Sequence, residues 1–173
     1  MSLITRLTVG LTLTAATLGA EQAAPKPPVA DPHAQMNARG ANVMGFDQVK
    51  TSHHFLLFAD GGAIDVSAND KNEGRDEMMG NRDAIRDHLP HIATMFGVGD
   101  FSNPMLVHGP NVPGTKELAA LKARITYAYV ATDRGGRVNI ITADPAALAA
   151  LHKFLRFQIA DHKTGDSGKI ETR

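Results

Sequence analysis

The stretch TSHHFLLFADGGAIDVS (residues 51–67) holds two runs of β-forming residues on either side of an Asp-Gly-Gly turn. The first run is rich in aromatic and aliphatic residues, and the second alternates apolar with polar side chains, as a half-buried strand does. The glycines after Asp60 give the backbone the freedom that a tight turn needs. This stretch therefore predicts a β-hairpin.

A second hairpin is predicted at residues 125–142, which read ITYAYVATDRGGRVNIIT. Two strand-like runs again flank a Gly-Gly turn, here Gly135 and Gly136. The resemblance between the two hairpins suggests an internal repeat, although two unrelated units of the same kind would give the same pattern.

A helix is predicted after each hairpin. The first begins near Asn81 and carries a single apolar stripe, formed by Ile85, Leu89, Ile92 and Phe96. Pro90 lies inside it, so we expect a kink or a loosened turn. The second helix begins at Asp144 and Pro145, which are typical of a helix start, and extends to about His162.

These elements predict an α+β fold with the order ββαββα. Two hairpins would form a four-stranded antiparallel sheet, and the two helices would cover one face of it. Residues 101–114 are rich in proline, glycine and asparagine, which favours a connection without regular structure. A helical turn or two is expected at 116–122.

The first twenty residues have the pattern of a secretory signal peptide. Arg6 precedes an uncharged run from Leu7 to Leu18, which is shorter than the roughly 18 to 20 residues needed to cross a bilayer, and small residues follow up to Ala20. We therefore expect cleavage after Ala20 and a periplasmic or secreted protein, with no membrane association once the signal is removed. A buried N-terminal helix is the alternative, but the Pro-rich residues that follow disfavour it.

Composition divides the rest of the chain into three parts. Residues 21–45 are expected to be a flexible Ala- and Pro-rich linker, residues 46–166 a single domain, and residues 167–173 a disordered tail. The chain has 18 basic and 18 acidic residues, and loss of Arg6 with the signal leaves a net charge of −1. This balance predicts neither a nucleic-acid partner nor an anionic membrane surface. A homo-oligomer is compatible with the sequence.

The chain has no cysteine, so disulfides, thiolate metal ligands and a thiol nucleophile are excluded. Eight histidines are the most unusual feature of the composition. Histidine and methionine are then the soft metal ligands that remain, and this pair suits copper or zinc better than calcium or magnesium. No HExxH, GxSxG, P-loop or GxGxxG motif is present.

Helical spacing places two histidines and a methionine of the first predicted helix on one stripe beside its apolar face. Histidines from the strands, the 101–114 connection and the last helix could join them. The candidate metal ligands are His54, His88, His91, Met95, His108 and His152. The alternative is that these histidines are hydrogen-bonded residues at the edge of the core and that Met95 fills space inside it.

Two further residues enter this prediction with restrictions. Because His53 and His54 are neighbours on one strand, they point to opposite faces and at most one of them can join a given site. His162 lies one helical turn after Gln158 on the same face, which makes the two a plausible hydrogen-bonded pair or site wall.

The leading functional hypothesis is a periplasmic protein that binds a transition metal, copper or zinc, or a metal-containing ligand, without catalysing a reaction. A second hypothesis is a small hydrolase or isomerase that uses a histidine as general base, with His54, His88 or His152 as candidates. A third is a non-catalytic interaction domain whose histidines are structural.

Four segments together resemble a family of small exported bacterial proteins. They are residues 44–48 (MGFDQ), residues 51–55 (TSHHF), the IRxHLxHI pattern at 85–92, and HxFLxFQxxxHxTGD at 152–166. The resemblance covers about residues 44–166. It implies export and assigns no reaction or cofactor.

Overall fold

The computed structural model describes residues 31–69 and 74–173. The expected signal peptide, residues 1–20, and the first part of the expected linker lie outside these ranges. Among the described residues, no helix is both long and apolar enough to cross a membrane.

Five α-helices and five strands make up the described chain. In order they are α1 (Pro32–Met44), β1 (Thr51–Phe58), β2 (Gly61–Ala68), α2 (Arg75–Gly97), α3 (Ser102–His108), α4 (Thr115–Ala120), a 3-10 turn (Lys122–Arg124), β3 (Thr126–Thr132), β4 (Gly135–Ile141), α5 (Pro145–His162) and β5 (Ile170–Glu171).

The strands form one sheet in the order β3-β4-β2-β1-β5. The four strands of the two predicted hairpins are antiparallel to their neighbours, as expected, and β2 pairs with β4 at the centre. The prediction of a four-stranded antiparallel sheet was wrong in one respect, because β5 adds a fifth strand parallel to β1. The fold is therefore α+β with a mixed sheet.

Both long helices cover the same face of the sheet. A Cβ added to Gly62 of β2 would lie 2.4 Å from Leu155 of α5, and one added to Gly136 of β4 would lie 3.1 Å from Leu89 of α2. Gly62 and Val66 lie four residues apart on β2 and therefore share one face of the sheet. Gly136 pairs with Val66 and lies on the same face. Each glycine thus gives a helix room to approach a strand closely.

Helix α1 occupies residues where composition predicted a flexible linker. The Asp31 carboxylate accepts a hydrogen bond from the His33 backbone N–H at 3.0 Å, Pro32 begins the helix, and Gly45 ends it in a left-handed conformation. Met36 is buried, so the helix is held by packing that the overall composition of residues 21–45 did not reveal.

Three other boundaries differ from the prediction. Helix α2 begins at Arg75 and continues through Pro90 to Gly97, and the expected connection contains α3. The predicted disordered tail includes β5, and Arg173 holds it by an ion pair to Asp60 at 3.0 Å. The guanidinium of Arg173 also lies 4.5 Å from the centre of the Phe58 ring. These contacts join residues distant in sequence, which local patterns do not show.

Candidate functional site

A small cavity of about 60 Å³ lies between the covered face of the sheet and helices α2, α3 and α5. Its walls are mostly apolar, and the polar residues among them are four histidines, Asn103 and Gln158. The apolar wall is formed by Met44, Phe46, Phe55, Ile64, Val66, Leu89, Ile92, Phe96, Pro104 and Phe154. Such a volume has room for a few water molecules or for a small bound group.

Three of the four histidines form a compact cluster, which we call the histidine trio: His53, His108 and His162. The ring of His162 stacks on that of His53 with centroids 5.1 Å apart and meets the ring of His108 edge-on at 4.9 Å. The fourth histidine, His88, lies across Phe46, whose ring is 6.1 Å from His53 and 5.9 Å from His88.

Each member of the trio is brought there by a different element. His53 shares the covered face of β1 with Phe55 and Leu57, because side chains alternate along a strand. His108 is the last residue of α3 and His162 is the last residue of α5. The site thus joins one strand and two helix ends that are far apart in sequence.

Burial keeps the trio in the neutral form. Desolvation lowers the pKa of His53 to about 4, and repulsion from His54 and His108 adds to the effect. Desolvation likewise lowers the pKa of His162 to about 2, with His53, His108 and His33 contributing. The pKa of His108 is also lowered by burial, although its bond to Asp161 opposes the shift.

Several polar nitrogens at the cavity are buried without a partner. Among the described residues, none makes a hydrogen bond to Nε2 of His53, Nε2 of His88 or Nε2 of Gln158. His108 differs, because its Nδ1 lies 2.6 Å from a carboxylate oxygen of Asp161. A buried polar atom without a partner is costly and calls for an explanation, such as a bound ligand, ion or water.

Of the six residues predicted as metal ligands, the structure places His88 and His108 on this cavity. His91 is exposed on α2, and Met95 is half-buried against the core. His54 points to the opposite face of the sheet, where its Nδ1 lies 2.8 Å from Asp166.

His152 is buried but has a structural role. Its Nε2 lies 3.0 Å from the carbonyl oxygen of Phe58 and 2.9 Å from that of Gly61. Both partners are acceptors, so Nε2 must carry the proton and donate it to the turn between β1 and β2. The same nitrogen is therefore not free to bind a metal or to act as a base.

His53 and His162 were not among the predicted ligands, although both belong to the centre of the site. The signal for His53 was its alternation with Phe55 and Leu57 on one strand face. The signal for His162 was its place on the apolar stripe of α5, one turn beyond Gln158. Neither pattern reveals that the two rings meet.

The trio also borders the outside of the molecule. A cleft of about 310 Å³ shares His53 and His162 with the cavity and has His33, Gln48 and Thr164 in its walls. His53 and His162 therefore lie between an outer cleft and the inner cavity.

Among the residues that the structure describes, no group of three or more histidine, aspartate or glutamate side chains is placed so that it could hold a metal ion. Comparisons with protein-family models, curated proteins and solved structures found no match to this chain.

Proposed function

We propose that the protein is an exported binding protein for a transition metal, copper or zinc, or for a small metal-containing ligand, and that the histidine trio is its site. The observation that carries the proposal is the meeting of neutral imidazoles at a cavity where buried ring nitrogens have no partner. Neutral imidazole is the form that binds metals, because protonation occupies the lone pair that makes the bond.

The environment of His108 supports this proposal. In metal sites, a ligating histidine usually donates its second ring N–H to a carboxylate or carbonyl, which fixes the tautomer and orients the ring. Asp161 stands in that relation to Nδ1 of His108. Gln158 also makes a side-chain hydrogen bond to the His108 ring, so this ring would have to give up that contact to offer its second nitrogen to a metal.

Binding would require the rings to turn from their present positions. His53 and His162 stack with an angle of 20° between their planes, whereas two rings on one metal each direct a nitrogen at the same point. Rotation of either ring about its side-chain bonds is a small movement, and the cavity beside them provides the space.

General-base catalysis is the second candidate, and one observation favours it at His54. Its ring is half exposed and paired with Asp166, and a carboxylate at Nδ1 is the arrangement that orients many catalytic histidines. A substrate complex with an ordered hydrogen bond to the free nitrogen of His54 would favour this candidate over metal binding.

Metal analysis of the mature protein, purified without a histidine tag, tests the main proposal. After loading with Cu²⁺ or Zn²⁺ and desalting, we expect about one equivalent of metal per chain. The variants His53→Phe and His162→Phe should lose most of it, because each removes a ring nitrogen while keeping an aromatic side chain of similar shape. Less than about a tenth of an equivalent in the unmodified protein would overturn the proposal.

The matched controls are His54→Gln and His91→Gln. Both residues are exposed, and each is close in sequence to a cavity histidine. If metal bound non-specifically to surface histidines, these substitutions would reduce it as much as His53→Phe and His162→Phe. We expect both controls to retain the bound metal. Equal loss in controls and trio variants would refute a site at the trio.

A further inference from the structure

The charge around the cavity restricts which ion the site can hold, if the proposed metal binding is correct. The residues that line the cavity include no aspartate, glutamate, lysine or arginine. One carboxylate among the described residues is bonded to a ring of the trio, that of Asp161 at His108, and it is half exposed on the outer side.

Burial of a divalent ion in such a place is expensive. The cost of moving an ion from water into an apolar medium rises with the square of its charge, so a divalent ion pays about four times as much as a monovalent ion of similar size. Asp161 carries one negative charge beside His108, but Arg39 lines the same surface cleft as Asp161 and carries one positive charge. The two charges of a divalent ion would therefore be less well compensated than the single charge of a monovalent ion.

The donor atoms favour the same choice. Neutral imidazole nitrogens come from His53 and His162, and Met44 at the end of α1 lines the same cavity with a thioether sulfur. Thioether and imidazole suit a soft ion, and Cu⁺ accepts a small number of such neutral ligands, whereas Zn²⁺ sites commonly include anionic ones.

We propose that the cavity is selective for monovalent copper, bound by imidazoles of the histidine trio with the Met44 thioether as an additional ligand, over Zn²⁺ and Cu²⁺. This inference rests on the proposed function and sharpens it. The ion enters as Cu⁺ and leaves as Cu⁺, so no redox step or co-reactant is required.

The test is competition between the mature protein and chelators of known affinity, with Cu⁺ under anaerobic conditions and with Zn²⁺ and Cu²⁺ in parallel. We expect Cu⁺ to bind at least about 100-fold more tightly than Zn²⁺ or Cu²⁺. If Zn²⁺ or Cu²⁺ binds as tightly as Cu⁺, the proposed selectivity is overturned while metal binding stands. If none of the three ions binds, both proposals fail.

A methionine pair supplies the matched control. Met44→Leu should weaken Cu⁺ binding by about tenfold and leave the affinity for Zn²⁺ unchanged, because leucine keeps the bulk and removes the sulfur. Met95→Leu changes a second half-buried methionine that packs on the core without lining the cavity, and it should change neither affinity. Equal effects of the two substitutions on Cu⁺ would exclude Met44 as a ligand.

Discussion

Each hairpin packs against one long helix, and the two units place different chemistry at equivalent positions. We call β1, β2 and α5 the histidine half, and β3, β4 and α2 the aromatic half. Leu155 packs on Gly62 in one half and Leu89 packs on Gly136 in the other. Seven residues beyond these leucines lie His162 and Phe96. Leu57 is the strand partner of Gly62, and His53 lies four residues before it. Ala131 is the strand partner of Gly136, and Tyr127 lies four residues before it.

The equivalent rings also meet, but their orientations differ, because His162 stacks on His53 whereas Phe96 meets Tyr127 edge-on. His162 and His53 have centroids 5.1 Å apart, and Phe96 and Tyr127 have centroids 5.8 Å apart. In the aromatic half, Phe101 completes an aromatic cluster around Phe96, together with Phe154 from the neighbouring helix α5. In the histidine half, the neighbour of His162 is instead His108.

This difference shows that the fold accepts an aromatic pair at this position. Phe96 is 2% exposed and needs no polar partner, whereas the buried Nε2 of His53 has none among the described residues. The histidine pair therefore carries a cost in stability, and so does the aromatic pair, because the buried hydroxyl of Tyr127 also has no partner among the described residues. The two pairs differ in that both histidines line the cavity, whereas Tyr127 does not.

Making the aromatic half resemble the histidine half should have the largest effect on stability. Phe96→His would put a polar ring among Phe101, Tyr127 and Phe154, where the hydroxyl of Tyr127 is the one polar side-chain atom, and would leave unfilled space. We expect the free energy of unfolding to fall by about 4 kcal/mol, measured by urea denaturation.

The reverse change is the control for this prediction. His162→Phe should leave the free energy of unfolding within about 1 kcal/mol of the unmodified protein, because the ring enters a mostly apolar wall. If both substitutions destabilise the protein equally, the two positions do not differ in the way described here.

A fall in pH should destabilise the folded protein through the histidine half, and this is the next largest expected effect on the free energy of unfolding. The pKa of His53 falls from 6.5 to about 4 on folding and that of His162 falls to about 2, so below pH 6.5 the unfolded chain takes up protons that the folded chain does not. Stability is therefore fully present above pH 6.5 and is lost as the pH falls toward 4. We expect a loss of about 3 kcal/mol between pH 7 and about pH 5.3, from denaturation curves of metal-free protein.

The double variant His53→Tyr/His162→Phe copies the aromatic half and isolates this effect. It should remove most of the pH dependence between 6.5 and 4.5 while His88 and His108 retain a smaller part, since their pKa values are also lowered by burial. An unchanged pH profile in the double variant would show that other groups cause the acid sensitivity.

Much of the fold could be predicted from local sequence patterns. Strand alternation and the Gly-Gly turns identify both hairpins, and apolar stripes with an Asp-Pro start identify α2 and α5. Helix α1 and strand β5 could not be found in this way. Composition does not show that Met36 is buried, and the two residues of β5 are too few to form a pattern and depend on pairing with β1.

The site could be predicted only in part, for a related reason. Helical spacing grouped His88 with His91, but the buried stripe of α2 leaves His91 exposed and turns His88 toward Phe46. The trio is assembled from β1, α3 and α5, and the sequence contains no spacing rule that joins them. The sequence therefore predicted His108 as a ligand in an irregular connection and His162 as a partner of Gln158 or a site wall, without indicating that the two rings meet.

The two halves should behave most alike where a helix lies close to a hairpin. Substitutions at these contacts should have the smallest effect on the free energy of unfolding. Gly62→Ala would bring a Cβ to 2.4 Å from Leu155 and 2.7 Å from the Leu56 carbonyl oxygen, and Gly136→Ala would bring one to 2.6 Å from the Tyr129 ring. We expect each to lower the free energy of unfolding by about 2 kcal/mol in urea denaturation. Gly62→Ala should cost somewhat more, because a backbone oxygen moves less easily than a ring. If only one of the two substitutions lowers the free energy of unfolding, only one helix needs this close contact. The correspondence between His162 and Phe96 would then lose its basis, because both positions are counted from the contacts at these glycines.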